Sequence, residues 1–220
     1  KYSVPRICFI NKIDRTGASF ERSYQTILDR LTKNAVRMQI PIGEEDKMEG
    51  VVDLLKMKAY YFEGQMGMDV REDEVPAELK EEAEKYRGEL IEKAVENDEQ
   101  LMEDFLEGKE IPIDALKKEI RKATIANEFV PVFTGTALKN KGVQLVLDAV
   151  VDYLPSPIDI PAVKGIDPKT EEEIERKASD DEPFAALAFK LQTDPFVGQL
   201  TYFRVYSGTL EAGSYIYNTT

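Results

Sequence analysis

Four residues near the start of the chain, Asn11-Lys12-Ile13-Asp14, have the types and the spacing to recognise a purine base. They follow an apolar stretch that predicts a buried strand. A carboxylate at Asp14 can accept hydrogen bonds from both N1–H and the 2-amino group of guanine, whereas adenine would leave it unpaired. Such a mismatch can discriminate by ~10⁴-fold or more. The Lys12 stem can lie along the purine face, and the Asn11 amide can connect the loop to the base edge. The alternative is a polar turn formed by asparagine and aspartate.

A second polar loop, at residues 135–140, follows the apolar stretch Phe-Val-Pro-Val-Phe. In GTPases a short Ser/Thr-Ala loop lies beside the Asn-Lys-x-Asp loop. The Ala137 backbone N–H can then donate to guanine O6, and the Thr136 hydroxyl can support the Asp14 carboxylate. The alternative is an ordinary strand-to-helix connection in which Asn140 caps the following helix. Two such loops, each between an apolar strand and a helix, favour a guanine site.

The charge of the chain is uneven. It carries 29 basic and 42 acidic residues, a formal net charge of −13. Residues 69–110 alone contain 17 acidic and 6 basic residues. A nucleic-acid-binding patch is therefore not indicated, and the acidic segment is either a solvated helical face or a docking face for a basic partner.

With no histidine and one cysteine, Cys8, the sequence excludes histidine catalysis within these residues and an internal disulfide, and it argues against a zinc site.

Local patterns place the two loops in an α/β arrangement. Helices are predicted at residues 18–33, from Pro76 onward, from Asn97 to near Gly108, from Pro112 to 127, and at 143–154. Asn97 and Gln100 would form a capping box at the start of the third of these helices. The helix at 143–154 is expected to be largely buried. Strands are predicted at residues 4–10, 36–41, 50–54, 58–62 and 129–133. More than a hundred residues separate the two loops, far more than a plain strand–helix unit needs, so the intervening segment is interpreted as an insertion.

The pattern changes after a proline-rich linker at residues 154–161. Residues 165–183 are polar and predict a surface excursion. Strands are predicted at residues 184–191, 198–206 and 210–217, with Ser-Gly-Thr and Ala-Gly as turn signals. This part of the chain predicts the opening of a β-barrel domain. No apolar run approaches the ~20 residues that a transmembrane helix needs, so no membrane partner is expected.

Four strings match one family: FINKIDRTGA, MQIPIGEED, GTALKNKGVQLVLDAVVDYLPSPIDIP and FRVYSGTLEAGSYIYNTT. On these strings the chain resembles bacterial elongation factor G, the ribosomal translocase among the translational GTPases, over essentially its whole length. The last two strings are long and specific, and release factors and ribosome-protection proteins share only parts of them. The resemblance implies an α/β fold class, with a partial P-loop GTPase domain and an α/β insert, followed by the start of an all-β barrel domain.

The resemblance also implies domains and site residues. The expected domains are the C-terminal part of the GTPase domain (1–35), the acidic α/β insert (36–127), the end of the GTPase domain (128–160), and the linker with the first barrel strands (161–220). The residues implied to bind the guanine of GTP or GDP are Asn11, Lys12, Asp14, Thr136, Ala137 and Leu138. Thr136 stands where serine is commoner and keeps the hydroxyl. Leu138 stands where many small GTPases carry lysine, so stacking on that side would be apolar.

The phosphate-binding and catalytic motifs of a GTPase are not found in the sequence. A working enzyme needs a G-x-x-x-x-G-K-[ST] loop, a D-x-x-G aspartate and a water-positioning residue. Gly108-Lys109 has glutamate at position 103, where the loop needs glycine, and the D-x-x-G string that begins at Asp14 overlaps the guanine motif. We therefore interpret the chain as an internal fragment with no catalytic or metal-binding residues of its own, the magnesium-binding residues lying outside it.

For the parent protein the resemblance implies GTP hydrolysis coupled to ribosomal translocation of tRNA and mRNA, in the cytoplasm. The implied partners are the ribosome and the ribosomal stalk protein, the latter bound by the acidic insert, besides the guanine nucleotide. Two alternatives remain open. One is a non-catalytic module that binds the ribosome or its stalk, with vestigial nucleotide loops. The other is a paralogous ribosomal GTPase that acts in recycling, release or drug protection.

The isolated chain of 220 residues is expected to have no GTPase activity and at most weak affinity for guanine nucleotides, because phosphate contacts carry much of such affinity. Phosphate release from GTP and calorimetric titration with GDP measure the two properties. A dissociation constant for GDP in the micromolar range or below would contradict the expectation.

Overall fold

The structure, a computed structural model, describes residues 4–167 and 170–219. The chain divides into two compact units, Lys1–Leu154 and Pro155–Thr220. The four domain ranges expected from the sequence stay a prediction. Within the described ranges, no helix is both long enough and apolar enough to cross a membrane.

The first unit mixes strands and helices. Its strands are β1 (Cys8–Ile10), β2 (Ala35–Arg37), β3 (Gln39–Ile42), β4 (Gly50–Asp53), β5 (Lys58–Glu63), β6 (Asp69–Glu74) and β7 (Val130–Thr134). Its α-helices are α1 (Phe20–Arg30), α2 (Lys80–Val95), α3 (Glu99–Leu106), α4 (Ile113–Ile125) and α5 (Val143–Tyr153). The second unit contains β8 (Val163–Ile166), β9 (Glu173–Arg176), β10 (Ala185–Asp194) and β11 (Gly198–Ser207). This content confirms the predicted α/β fold class followed by β structure.

A parallel sheet of three strands, in the order β1-β7-β2, forms the centre of the first unit. The middle strand β7 is buried along its whole length. Its register pairs Ile10 of β1 with Thr134 and Ala35 of β2 with Val130. Strand β1 is shorter than predicted because its pairing with β7 begins only at Cys8. Since β1 and β7 are parallel neighbours, the loops that follow them leave the sheet side by side.

The segment predicted as one strand at residues 36–41 serves two sheets. Its first part, β2, pairs with β7, and its second part, β3, begins an antiparallel sheet with the order β3-β4-β5-β6. Between them, the Met38 N–H donates to Val132 O (2.9 Å), and Met38 O accepts from the Leu54 N–H (3.0 Å). Met38 therefore connects the parallel sheet to the inserted antiparallel sheet.

Strand β6 was not predicted from the sequence. All six of its residues, Asp-Val-Arg-Glu-Asp-Glu, are exposed, so it has no apolar alternation to indicate a strand. It forms because it lies at the edge of the sheet, antiparallel to β5. Arg71 of this strand pairs with Glu63 of β5 (Nε–Oε1 2.9 Å), and Lys58 pairs with Glu74. A charged edge of this kind also disfavours pairing with a further strand.

Helices α2 and α4 enclose much of the apolar core of the first unit. Leu90 of α2 and both Leu116 and Ile120 of α4 are fully buried, and Phe129, just before β7, is 1% exposed. As predicted, Pro112 stands at the start of α4, where it is the N-cap. Pro76 precedes a short 3-10 turn, Ala77–Leu79, which leads into α2. The insertion thus returns the chain to β7 through a packed helical layer.

Arg37 at the end of β2 fastens α1 to α2. Its guanidinium carbon lies 4.1 Å from the ring centroid of Tyr24 in α1 and 3.8 Å from that of Tyr86 in α2. The side chain of Glu21 completes the arrangement with an Nη1–Oε2 distance of 3.3 Å. Arg37 is only 7% exposed, and stacking between two aromatic rings supports a buried guanidinium whose Nε has no hydrogen-bond partner in the part of the chain that the structure describes.

The structure differs by one or two residues from the predicted cap of α3 and from the cap of α5 that the alternative interpretation of the second loop offered. The N-cap of α3 is Asp98, whose side chain accepts from the Leu101 N–H (3.0 Å), rather than Asn97. The N-cap of α5 is Gly142, with φ 84°, rather than Asn140. Asn140 instead ends the 3-10 turn Ala137–Lys139 in a left-handed conformation, because the loop must turn once more before α5 begins.

The outer side of α5 is more exposed than predicted. Only Ala149 and Tyr153 of this helix are buried, while Leu147 and Val151 are 62% and 77% exposed in the first unit. The apolar composition of the helix led to the expectation of burial over much of its surface. Composition alone cannot show which sides of a helix have neighbours.

The second unit consists of two antiparallel hairpins, β8 with β9 and β10 with β11. The polar excursion predicted at residues 165–183 therefore contains the paired strand β9 in its described part. The strand predicted at 210–217 is not formed. Its Tyr215 and Tyr217 are highly exposed, and the segment forms a local turn, in which the Ser214 N–H donates to Glu211 O (3.1 Å), rather than pairing with a neighbouring strand.

Candidate guanine-binding site

The sheet brings the two predicted loops into direct contact. The Gly135 N–H donates to Ile10 O (3.1 Å), and the Ile13 N–H donates to Gly135 O (3.3 Å). Ile13 is 1% exposed, so the apolar residue of the Asn-Lys-x-Asp string anchors the first loop in the core. Residues more than a hundred positions apart in sequence thus become neighbours at the carboxyl ends of β1 and β7.

Asp14 lies at the centre of the contact between the loops. The Thr136 hydroxyl donates to its Oδ1 (2.7 Å), and Lys139 Nζ lies 2.9 Å from its Oδ2. The Asp14 side chain is 10% exposed. The Thr136 hydroxyl, and secondly the Lys139 ammonium, hold the pKa of this carboxyl below its ordinary value. Asp14 is therefore a carboxylate at neutral pH, able to accept hydrogen bonds but not to donate them.

Asn11 ties the same two loops together through its side-chain carbonyl. Its Oδ1 accepts from the Lys12 N–H (2.8 Å) and from the Ala137 N–H (2.9 Å). The Ala137 N–H, predicted to donate to guanine O6, is thus already bonded within the protein. The Asn11 Nδ2 donates to no group among residues 4–167 and 170–219, so it is available to a ligand at the edge of the loop.

Lys12 on the first loop and Leu138 on the second both have exposed side chains. Leu138 is 73% exposed, and Lys12 is also exposed. Lys12 adopts a left-handed backbone conformation, with φ 65°, which is uncommon for a residue other than glycine. An aliphatic stem on one loop and a leucine on the other can cover the two faces of a planar base.

Glycine supports the second loop. A side chain at Gly135 would place its Cβ 2.3 Å from the Lys141 carbonyl oxygen. That carbonyl accepts from the Thr136 N–H (3.0 Å), and the Lys141 N–H donates back to Thr136 O (3.1 Å). The tight loop therefore presents Thr136 and Ala137 only because residue 135 lacks a side chain.

Sequence reasoning missed two groups that support the site. One is Lys139, whose only signal is a basic residue three positions after Thr136, at the end of a one-turn helix. The other is Glu45, whose N–H donates to Ile13 O (2.7 Å) and whose Oε1 accepts from the Gly17 N–H (2.7 Å). Glu45 belongs to the turn between β3 and β4, and no local pattern connects it to the first loop.

Comparison with known proteins assigns this arrangement to a family. The chain matches the family described as Elongation factor Tu GTP binding domain over residues 1–156, more than half of its 220 residues. The chain belongs to this family. It therefore contains part of the GTP-binding domain of a translational GTPase, and guanine nucleotide is the ligand that the family implies.

A solved structure extends the similarity beyond that domain. The crystal structure of a protein from Thermus thermophilus is similar with a TM-score of 0.74 at 29% sequence identity. The match covers 96% of this chain and 29% of that protein. The chain thus spans less than a third of the length of the protein that it resembles.

The described residues of the two joined loops offer hydrogen-bonding groups and exposed side chains. Among residues 4–167 and 170–219, no group of three or more histidine, cysteine, aspartate or glutamate side chains could hold a metal. The six residues predicted to bind guanine all lie on the two joined loops, and their roles stay a prediction. What the site offers is a carboxylate, an amide and two exposed side chains.

Replacement of Thr136 by valine tests the support of Asp14. We expect the pKa of Asp14 to rise and stability at pH 7 to fall by roughly 1.5–3 kcal/mol, because the carboxylate loses a hydroxyl donor. The lowered pKa means that this stabilisation is present above about pH 4 and is lost as the pH falls through the lowered value. NMR titration of the Asp14 carboxyl carbon, and urea unfolding at pH 7 and at a pH well below the ordinary aspartate pKa of about 4, measure both effects.

The matched control is Thr136→Ser, which keeps the hydroxyl and should leave the pKa of Asp14 near that of the parent chain. An unchanged pKa in Thr136→Val would show that the hydroxyl does not support the carboxylate.

Proposed function

We propose that this chain is part of an elongation factor G-type translational GTPase, which couples GTP hydrolysis to ribosomal movement of tRNA and mRNA, and that it supplies the recognition of guanine. The observation that carries the proposal is the pair of contacts between the loops, Thr136 Oγ1 to Asp14 Oδ1 at 2.7 Å and the Ala137 N–H to Asn11 Oδ1 at 2.9 Å. Membership of the GTP-binding family supports it. The four strings shared with elongation factor G favour that factor over paralogues in recycling, release or drug protection.

Guanine fits this site through groups that adenine does not share. The Asp14 carboxylate would accept from N1–H and from the 2-amino group, in a planar contact of two hydrogen bonds. The Ala137 N–H would exchange its hydrogen bond to Asn11 Oδ1 for one to guanine O6, and the Asn11 Nδ2 would donate to the base edge. Adenine has an acceptor at N1 and no 2-amino group, so the carboxylate would lose its solvent contacts without gaining a donor.

The lining of the site would hold the base by its faces. The Lys12 stem would cover one face and Leu138 the other, so that contacts above and below the ring are mostly apolar. The residues of this chain bind and orient the base, and the phosphates and magnesium ion of GTP would be held by residues outside it. A cytoplasmic location, at the ribosome, follows from this role.

Nucleosides without phosphates test base recognition directly. In an NMR titration of the chain, guanosine should bind more tightly than inosine, which lacks the 2-amino group, by roughly 10-fold or more, and adenosine should not bind measurably. Asp14→Asn should remove the preference for guanosine over inosine, because one of the two acceptor oxygens becomes a donor.

The matched control for Asp14→Asn is Asp29→Asn, the same change at an exposed carboxylate on α1. Equal binding of guanosine and adenosine by the parent chain would overturn the assignment of the two loops to guanine.

The acidic insert favours a second role, as a docking surface for the ribosomal stalk protein. The residues of β6 are all exposed, and Glu81, Glu82 and Glu89 of α2 are exposed as well. These residues lie on the inserted sheet and helix and not on the two loops. They can therefore attract a basic partner without being part of the proposed guanine contacts.

Charge reversal separates the two roles. Binding of the stalk protein to the chain should survive Asp14→Asn and weaken at least 10-fold when Glu81, Glu82 and Glu89 are all changed to lysine, because repulsion replaces attraction at three sites. Calorimetry at low and physiological salt measures the change. Loss of stalk binding in Asp14→Asn, or its survival in the triple variant, would contradict a separate acidic docking surface.

A further inference from the structure

Groups of the protein itself occupy the donors and acceptors that would bind guanine. Lys139 Nζ lies 2.9 Å from Asp14 Oδ2, on the carboxylate that would otherwise accept from the base. Asn11 Oδ1 lies 2.9 Å from the Ala137 nitrogen, the donor assigned to guanine O6. The Lys139 ammonium thus takes the place of a guanine donor on Asp14, and the Asn11 side-chain carbonyl takes the place of guanine O6 on the Ala137 N–H.

The ammonium is the part of this arrangement that is free to leave. The Lys139 side chain is 56% exposed, and within the described residues Asp14 is its one ion-pair partner. It extends from the end of the 3-10 turn Ala137–Lys139, after which Asn140 turns the chain with φ 53°. A long flexible stem that starts beside solvent can move its charged end into water without disturbing the loop.

Thr136, in contrast, stays in place. It is 1% exposed, and its backbone is bonded on both sides to Lys141. Its hydroxyl bonds to Oδ1 of Asp14, while Lys139 bonds to the other oxygen, Oδ2. The hydroxyl belongs to a buried residue and can remain on Oδ1 when a base arrives. The ammonium belongs to an exposed side chain, and it would compete with the second base donor for Oδ2.

We propose that Lys139 is an internal substitute for guanine that determines the affinity of the site: it pairs with Asp14 when the site is empty, and the base must displace it. This inference rests on the proposed function, since it concerns the same carboxylate. With no base bound, the pair satisfies a carboxylate that is only 10% exposed and helps to hold the two loops together. On binding, the ammonium is released to water and the base donors take its place.

Competition between Lys139 and guanine for Asp14 predicts the direction in which a substitution of Lys139 changes the affinity for guanine. Removal of the ammonium destabilises the empty site and leaves the bound site unchanged, so the affinity for guanine rises. Since Lys139 is more than half exposed, the effect should be modest, about two- to five-fold. High salt screens the pair and should reduce the difference between the parent chain and a variant that lacks the charge.

The test uses the whole chain, NMR titration with uncharged guanosine, and the variant Lys139→Met, which keeps a flexible apolar stem. Guanosine should bind about two- to five-fold more tightly to Lys139→Met than to the parent chain, and the difference should shrink at 1 M salt, where the screening length is about 3 Å. In the absence of guanosine, the pKa of Asp14 should be higher in the variant, since the ammonium contributes to lowering it.

The control variant is Lys33→Met, the same change at an exposed lysine on the α1 side of the unit, where its partner is Asp29. It should bind guanosine as the parent chain does. Guanosine binding to Lys139→Met that is equal to or weaker than binding to the parent chain would overturn the role of Lys139 and leave guanine recognition standing. If neither chain binds guanosine in preference to adenosine, guanine recognition itself fails, and the role of Lys139 fails with it.

Discussion

The parallel pairing of β1 with β7 is the constraint on which the site depends. Its register sets Ile10 beside Thr134, and each strand ends at that level. The two loops therefore begin as neighbours. Asp14 lies four residues after the end of β1 and Thr136 two residues after the end of β7, so short loops are enough for the Asp14–Thr136 contact. A shift of this register by one residue would move the hydroxyl away from the carboxylate, because successive residues of a strand point to opposite faces.

The segment between the two loops can be long because it leaves the parallel sheet and returns to the same sheet at β7. It leaves the parallel sheet at Met38, forms its own antiparallel sheet, and returns through α2, α3 and α4 to β7. Arg37, stacked between Tyr24 and Tyr86, fastens its helix α2 to α1, the helix that follows the first loop. A long excursion thus adds an acidic surface without loosening the loops, since loop-closure cost grows slowly with length and the packed core recovers it.

The polar groups of the two loops hydrogen-bond to one another. The Asp14 carboxylate, which is only 10% exposed, has a partner in Lys139, and the Ala137 N–H on the exposed part of the second loop bonds to Asn11. Such contacts keep the two loops in register before a base arrives. Under the proposed function, binding would exchange one set of hydrogen bonds for another, and selectivity would come from how well the base matches the groups that it displaces.

The sequence by itself determined the two loops, the α/β class and most helices, because those features depend on local patterns such as apolar periodicity, proline at helix starts and turn chemistry. It did not determine β6, whose charged residues pair only because β5 lies beside them, or the exposed side of α5. Nor could the sequence reveal the ion pair of Lys139 with Asp14 or the hydrogen bond from the Glu45 N–H to Ile13 O. Those contacts join residues that are distant in sequence, and only the tertiary structure, through the register of the sheets, decides which of them meet.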